Sequence, residues 1–428
     1  MNIRKEVCLI VDAYSTANKL AGVINAYGYP CVHIQSNSFI PEVLQRSFRP
    51  CDFIDNFVCD KTPESLHHQI LERKYEIKCV ITGAESGVLL SDYLANKFNV
   101  PGNDVNSSTS RRNKYEMTET LKSNSLNHIR QIKTQSIEEV YKWVRENKIN
   151  PVVLKPLLSS GTNGFHICHS ESDIERAFKS LYQSKDVFGN INHEILVQEY
   201  IEGQEYCVNM VSYEGKHCLS EIWKTDKQIS KHSKVYDLET LLTEDNEHFS
   251  ILFEYAKEVL RVLKISYGPS HLEIFVQSDG TPVLVEAAAR FMGAMELALI
   301  TKAYGTNAIL LTAEAYLKTD SFIKNLQAPR PKIMKYPAMV QLISSQEKEG
   351  ILKEWCFDQL KHLKTFHGID VYMKSGGHIQ QTIDSGSALG LVYLVGDSMD
   401  EILSDYSLIR SMEKRGEIYT IQPLSKEN

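Results

Sequence analysis

The chain has 428 residues, 43% of them apolar and 24% charged, and a formal net charge of −7. That length supports two or three domains with full cores, and the composition is that of an ordinary globular protein. The acidic balance, with no basic block, argues against nucleic acid as the main partner, and no 18-residue apolar run is present to cross a membrane.

The start, "MNIRKEVCLIVDAY", is too short in its apolar run for a signal peptide and reads as a first strand. A helix over "TANKLAGVINAYG", a strand at "CVHIQ" and the run "IKCVITGAESGVLLSDYLANKF" continue the alternation of an open parallel sheet. Ligands of such sheets sit beyond the carboxyl ends of strands. Glu85 falls at such an end, where the alternative is an acid that complements a helix macrodipole. Residues 103–113, "NDVNSSTSRRN", are polar and read as a linker. A smaller α/β unit follows: a helix at "KYEMTETLKSN", a strand near "HIRQIKT", a helix at "SIEEVYKWVRENK", the strand "PVVLKP", and a helix over 172–183. Strands flank "EGQ", a helix covers 249–263, and the last hundred residues hold strands at "YPAMVQLIS", "VYMK" and "ALGLVYLVGDS" and a helix at "SMDEILSDYSLIRSMEKRG". Nine scattered cysteines, without a C-x-x-C pair or zinc spacing, read as reduced, mostly buried thiols of a cytoplasmic protein.

Several stretches carry chemistry. In "HLEIFVQSDGTPVLVEAAAR", Asp279-Gly280 is a signal for a two-residue type I′ hairpin. With those two residues at its centre, Gln277 faces Pro282, Phe275 faces Leu284, His271 faces Ala288 and Glu273 faces Glu286. Directly opposed acids have Cβ atoms about 5 Å apart and repel, so a cation is expected between them. Two hard oxygen ligands with other positions left to water and phosphate suit Mg²⁺; a wider loop that breaks the register, or solvent-facing acids, are the alternatives. Lys155 ends an apolar strand, where a buried lysine wants an anionic partner. The loop "SSGTNG" after it, with Ser159, Ser160, Gly161, Thr162 and Gly164, offers backbone N–H groups and hydroxyls to a phosphate, or is a plain hairpin loop. In "VQEYIEGQEYCV", Glu199, Tyr200 and Ile201 could present a backbone edge to adenine and Glu205 could accept from ribose hydroxyls; a half-exposed hairpin is the alternative. Arg290 could clamp a carboxylate or phosphate, or could pair with the acids.

The order of these features resembles the ATP-grasp superfamily of carboxylate–amine ligases, above all its L-amino-acid ligase (dipeptide synthetase) branch. "TGAESGVLLSDYLANKFNVPGN", "RRNKYEM", "VLKPLLSSGTNG", "EIWKTDK" and "GPSHLEIFVQSDGTPVLVEAAARFMGA" carry the resemblance alongside the stretch around Glu199. It implies an α/β (α+β) ATP-grasp fold. The implied domains are an N-terminal Rossmann-like open parallel sheet over 1–105, a small α/β lid domain over 106–197 and a C-terminal mixed α+β domain over 198–428. It implies ATP and Mg²⁺ as cofactors, two ions by expectation, with Mn²⁺ as a substitute. By the same resemblance Lys114 and Lys155 hold the nucleotide phosphates, and Ser159 to Gly164 form the mobile lid. Glu199 to Ile201 form the adenine hinge and Glu205 binds ribose. Glu273 and Glu286 are the metal ligands, Arg290 stabilises the reacting centre, and Glu85 falls at a substrate-site acid; His271, near the metal pair in the hairpin register, could orient substrate or take a proton, with a hydrogen-bonded structural histidine as the favoured alternative. The lysine-rich segment around Lys224, Lys227, Lys231 and Lys234 is a second candidate moving part, with a solvated charged loop as the alternative. Ala288 stands where many relatives of that superfamily carry a further asparagine ligand, a departure that bears on a second Mg²⁺. The implied partners are amino-acid substrates and ATP, with no nucleic acid or membrane, and a homodimer is the default for a soluble enzyme. Competing readings are an ATP-grasp carboxylase or purine-type ligase, and a catalytically inactive nucleotide-binding regulator.

Overall fold

The computed structural model describes residues 5–158, 164–186, 189–230, 233–328, 332–344 and 349–423. The chain opens with a parallel sheet of β1 (Glu6–Val11), β2 (Cys31–Gln35), β3 (Phe53–Val58) and β4 (Glu76–Thr82), in the order β3-β2-β1-β4. Val7 to Val11 are fully buried, because a parallel strand covered on both faces needs an unbroken apolar run rather than an alternating one. Helices Pro63–Glu72 and Val88–Phe98 follow β3 and β4. The second ends at Asn99 in the left-handed conformation that closes many helices. A Cβ on Gly83 would lie 2.3 Å from the Asp12 carbonyl oxygen, so only glycine lets the ends of β1 and β4 approach this closely.

Residues 103–113 are not a free linker. Val105–Arg111 forms a 3₁₀ segment in which the Arg111 side chain is fully buried. Its guanidinium pairs with Asp92 at 2.6 Å and donates to the carbonyls of Asp104 and Leu263, so a stretch that is polar in sequence is held inside by an ion pair and backbone acceptors.

Next come β5 (Gln131–Thr134), β6 (Val152–Pro156), β7 (His166–Cys168) and β8 (Ile195–Glu199), an antiparallel sheet in the order β5-β8-β6-β7. Helices Ile137–Asn147 and Glu171–Leu181 bury one apolar stripe each against it. The second begins with a capping box, Ser170 with Asp173.

The largest sheet holds β9 (Gln204–Tyr213), β10 (Lys216–Ser230), β11 (Ser233–Leu241), β12 (Gly268–Val276), β13 (Pro282–Ala288) and β14 (Tyr336–Leu342). Beyond β15 (Gly350–Trp355) it takes in β16 (Phe366–Val371) and, past β17 (His378–Ile379), β18 (Gly390–Gly396). Its eight strands are antiparallel in the order β13-β12-β9-β10-β11-β14-β18-β16. With β19 (Tyr419–Pro423), β15 and β17 form a separate small sheet. Two expectations change here. The "VYMK" strand lies earlier, ending at Val371, and Lys224, Lys227 and Lys234 are not on a solvated loop but on the paired strands β10 and β11.

One core cluster joins Cys8, Ile10, Cys79 and Ile81 of the first sheet to Cys207, Trp223, Met339 and Leu391 of the largest one. The carboxyl ends of β1 and β4 are thereby brought to the face of the eight-stranded sheet. All nine cysteines are free, and no described helix is long and apolar enough to cross a membrane.

Candidate active site

The hairpin that carries the two acids differs from the expected one. Only Gly280 of the central pair has positive φ, at +83°, so a type I′ turn is not formed. Instead Gly280 N–H donates to the Gln277 carbonyl, Gln277 N–H donates to the Thr281 carbonyl, and the Asp279 carboxylate accepts from Thr281 N–H. This three-residue turn puts Val276 opposite Pro282 and Phe275 opposite Val283, one residue off the expected register. A bulge at Val285 then restores it, so that Glu273 faces Glu286 and His271 faces Ala288 as expected. A bulge leaves one residue unpaired and re-aims its neighbours. Here Val285 and Glu286, adjacent in sequence, both line the same cavity.

That cavity, of about 100 Å³, lies between the four-stranded antiparallel sheet and the eight-stranded one. It collects Lys114, Lys155, Glu199, Tyr200, Ile201, Glu205, Glu273 and Glu286, which are separated by up to 172 positions along the chain. Ile129, Val153, Phe165 and Phe275 supply apolar walls. Lys114 is the first residue of the helix Lys114–Ser123, which is capped by Asn113, and its ammonium lies 3.0 Å from Glu286. Lys155 is buried, and burial together with the neighbouring Lys114 brings its pKa down to about 8 against the pull of Glu286 and Glu273. Burial alone would raise Glu273, yet its bond from His271 and the charges of Lys227 and Lys114 hold it well below the usual carboxylate range.

Lys227 was not singled out for this cavity by the sequence. It lies 2.6 Å from Glu205 in a buried pair and 4.2 Å from the centre of the Tyr236 ring. The lysine cluster was its only signal. Lys234 lies over the rings of Tyr200 and Phe275. The Glu199 carboxylate turns to Arg130, accepting from Nε at 2.7 Å and from the backbone N–H at 2.8 Å. The N–H and C=O of Tyr200 and Ile201 take no backbone hydrogen bond among the described residues and remain available at the cavity. Gly164 has φ +69°, and a Cβ there would meet Leu181 at 2.9 Å and Pro156 at 3.0 Å. Ser159, Ser160, Gly161, Thr162 and Lys231 lie outside the described residues.

A second cavity, of about 300 Å³, adjoins the first, and Glu273 lines both. Glu85, His271 and Arg290 are on its wall. Glu85 is buried and bridges two arginines, Arg112 at 2.7 Å and Arg290 at 2.9 Å. Burial opposes ionisation, but the two guanidiniums win and bring its pKa to about 2. Arg290 is further fixed by donating to the Phe291 carbonyl. Arg112, within the quoted "RRNKYEM", received no role from the sequence. His271 Nδ1 meets Asn209 Oδ1 at 2.8 Å and its Nε2 lies 3.7 Å from Glu273. The loop carrying Glu85 is tied down by Asp12, whose carboxylate accepts from the hydroxyls of Ser36 and Ser86.

Two opposed carboxylates, ringed by lysines at the seam of two cavities, can hold a divalent cation and a polyphosphate. Among the described residues no group of three or more His, Cys, Asp or Glu side chains forms a closed metal site. The donor set therefore fits a cation completed by phosphate oxygens and water.

A family model for the ATP-grasp domain matches residues 149–297, the stretch that supplies most of the first cavity. Over 421 residues the chain is 31% identical to dapdiamide A synthase of Enterobacter agglomerans, covering 96% of each protein. The chain belongs to the ATP-grasp carboxylate–amine ligases. Like other ATP-grasp ligases it joins a carboxylate to an amine at the expense of ATP. It is also 19% identical over 335 residues to an L-arginine-specific L-amino acid ligase of Bacillus subtilis, with 77% of this chain and 78% of that one covered. Among solved structures, the ATP-grasp fold is shared with an L-amino acid ligase from Bacillus licheniformis, at a TM-score of 0.74 and 16% identity over 99% of this chain and 100% of that one.

Proposed function

We propose that this ATP-grasp ligase links the carboxylate of one amino acid to the amine of a second, giving a dipeptide, ADP and phosphate. The observation that carries the reading is the seam itself: Glu273 lines both cavities, with the lysines on one side and the Glu85–Arg290 pair on the other. Nucleotide phosphates in the first cavity would therefore end where a carboxylate held in the second begins.

In this reading Tyr200 and Ile201 offer their free backbone edge to adenine, Glu205 faces the ribose, and Lys114 and Lys155 neutralise the phosphates. The substrate carboxylate oxygen attacks the γ-phosphorus of ATP, the bond to the bridging oxygen breaks, and ADP leaves with that electron pair. Glu273 and Glu286 would hold Mg²⁺, which supplies charge neutralisation at the phosphates. The amine nitrogen of the second substrate then attacks the acyl carbon, phosphate departs, and the nitrogen loses a proton. Arg290, held by Glu85, would stabilise the oxyanion of that step. Likeness to an L-amino acid ligase and to dapdiamide A synthase supports this acceptor chemistry. The 106–197 segment, with the loop 159–164, is the part we assign to closing over the acyl phosphate and excluding water.

The test is phosphate release from MgATP across the twenty amino acids, singly and in pairs, with Glu286→Ala as control. Release that requires particular amino acids, with mass spectrometry showing the dipeptide, is the expected result. Release supported by bicarbonate and no amino acid would overturn it in favour of a carboxylase.

A further inference from the structure

Three carboxylates line the second cavity, and the chain answers the charge of only two. Glu85 is held by Arg112 and Arg290, and Glu273 faces His271 and the lysines. Glu239, on β11, is only 8% exposed. Among the described residues it has no ion pair, only a 3.4 Å hydrogen bond from Thr225 Oγ1. A second polar group on the same wall is also unanswered. Gln341 Nε2, on β14, is buried without a hydrogen-bond partner. Glu239 stands opposite Met339, and Gln341 lies two residues further on, so the two side chains share a face of the sheet.

Buried polar groups are ordinarily paired, and a buried carboxylate without a cation is costly. Burial raises Glu239 to about 7 against the pull of Lys227, the nearby cation, which is itself paired with Glu205. A metal does not supply a counter-charge among the described residues, since no third acid or histidine closes with Glu239 on a common point. Glu239 is also separated from Glu273 on β12 by β9 and β10. What remains is the cavity. Its wall near Glu239 is built by Tyr236, Met339, Tyr372 and Leu391, a mixed aromatic and aliphatic surface of the kind that encloses a small organic ligand.

We propose that Glu239, with Gln341 beside it, binds a positively charged nitrogen of an amino-acid substrate in the second cavity. The carboxylate accepts from the ammonium, and the Gln341 amide donates to an oxygen of the same molecule. This rests on the ligase reading above and deepens it by naming the group that selects the substrate. The nitrogen belongs either to the α-ammonium or to a basic side chain, and both present the same chemistry to Glu239.

Calorimetric binding to the full chain, with MgAMP-PNP present, distinguishes the two sources. One matched pair is L-alanine and L-lactate, which differ at the α-nitrogen; the other is L-lysine and L-norleucine, which differ at the end of the side chain. Wild type is expected to favour the ammonium member of at least one pair by about tenfold or more. Glu239→Gln should reduce that preference to less than about twofold while MgAMP-PNP still binds, which shows that the fold is intact. Gln341→Ala should weaken the same ligand by a smaller factor. Preference retained in Glu239→Gln, or no preference in wild type for either pair, overturns the proposal. The dependence on ligase chemistry is read separately. Preference abolished by Glu239→Gln without amino-acid-dependent phosphate release in wild type would sink the ligase reading and leave the ammonium site. Phosphate release with the preference unchanged in the variant would do the reverse.

Discussion

The two cavities are built on opposite charge plans. In the first, Lys114 meets Glu286 and Lys227 meets Glu205, and Lys155 stands as an additional cation beside them. In the second, Glu85 has two arginines and Glu239 has none. A region with cations beyond its internal pairs is suited to an anion, and one with an unanswered carboxylate is suited to a cation. In the reading proposed above, the seam at Glu273 separates a cavity that receives phosphate from one that receives a zwitterion.

That division can be broken from either side. Replacing Glu286 or Glu273 with alanine should have the largest effect, lowering the rate of ATP-dependent phosphate release by about 10³-fold whatever amino acid is supplied. Arg290→Lys keeps the charge but loses the planar fork between Glu85 and the Phe291 carbonyl. We expect kcat to fall about 10²-fold with little change in KM for ATP, measured by steady-state kinetics. Glu85→Gln should raise KM for the amino acid about tenfold while KM for ATP stays within about twofold. Equal rises in both would mean that the cavities do not act separately.

The pH dependence tests the first cavity alone. Lys155, facing Lys114, Glu286, Glu273 and Lys227, is charged below about pH 8 and neutral above it. Nucleotide affinity in a titration should therefore fall as pH rises through about 8, and Lys155→Arg should flatten the fall. The stability of the empty protein carries the opposite sign. An ordinary lysine titrates at 10.5, so between about 8 and 10.5 the unfolded chain binds the extra proton and this group's contribution to stability rises with pH. The smallest effect is expected for Gly164→Ala. The positive φ and the contacts with Leu181 and Pro156 should cost about 1–2 kcal/mol, read as a lower melting temperature.

The first cavity was largely legible in the sequence because its residues sit on consecutive strands and helix starts between Lys114 and Glu286, each next to a local signal. Lys155 closes an apolar strand, Glu205 follows a hinge, and the acids flank an Asp-Gly turn. Even the error in the turn was harmless, since the bulge at Val285 cancelled it. No local sequence pattern anticipates that a bulge at Val285 will compensate the turn that ends at Thr281. The second cavity was legible only at Glu85, His271 and Arg290. Its walls come from the ends of β1 and β4, the face of β11 and β14, and residues as late as Leu391, and nothing in the local pattern of Glu239 or Gln341 records that they meet. Their strands were not all recognised, because β10 and β11 carry charged side chains inward and so lose the alternation that marks a half-buried strand. The buried Arg111 shows the same limit. A serine-rich, charged stretch looks like solvent-facing chain until its partners arrive from Asp92 and Leu263.

The bulged strand β13 is also the outermost strand of the largest sheet. An outer strand offers unpaired backbone groups to any passing chain, and a bulge with an inward charge is one way in which proteins spoil that template. Val285 and Glu286 place both devices on the wall of the first cavity. Together with Tyr255, which accepts from Leu284 N–H, and Asn127, which donates to the Pro282 carbonyl, the irregularity that sets the acid at its post guards the sheet against unwanted extension. A substitution that straightened β13 would threaten solubility as well as turnover.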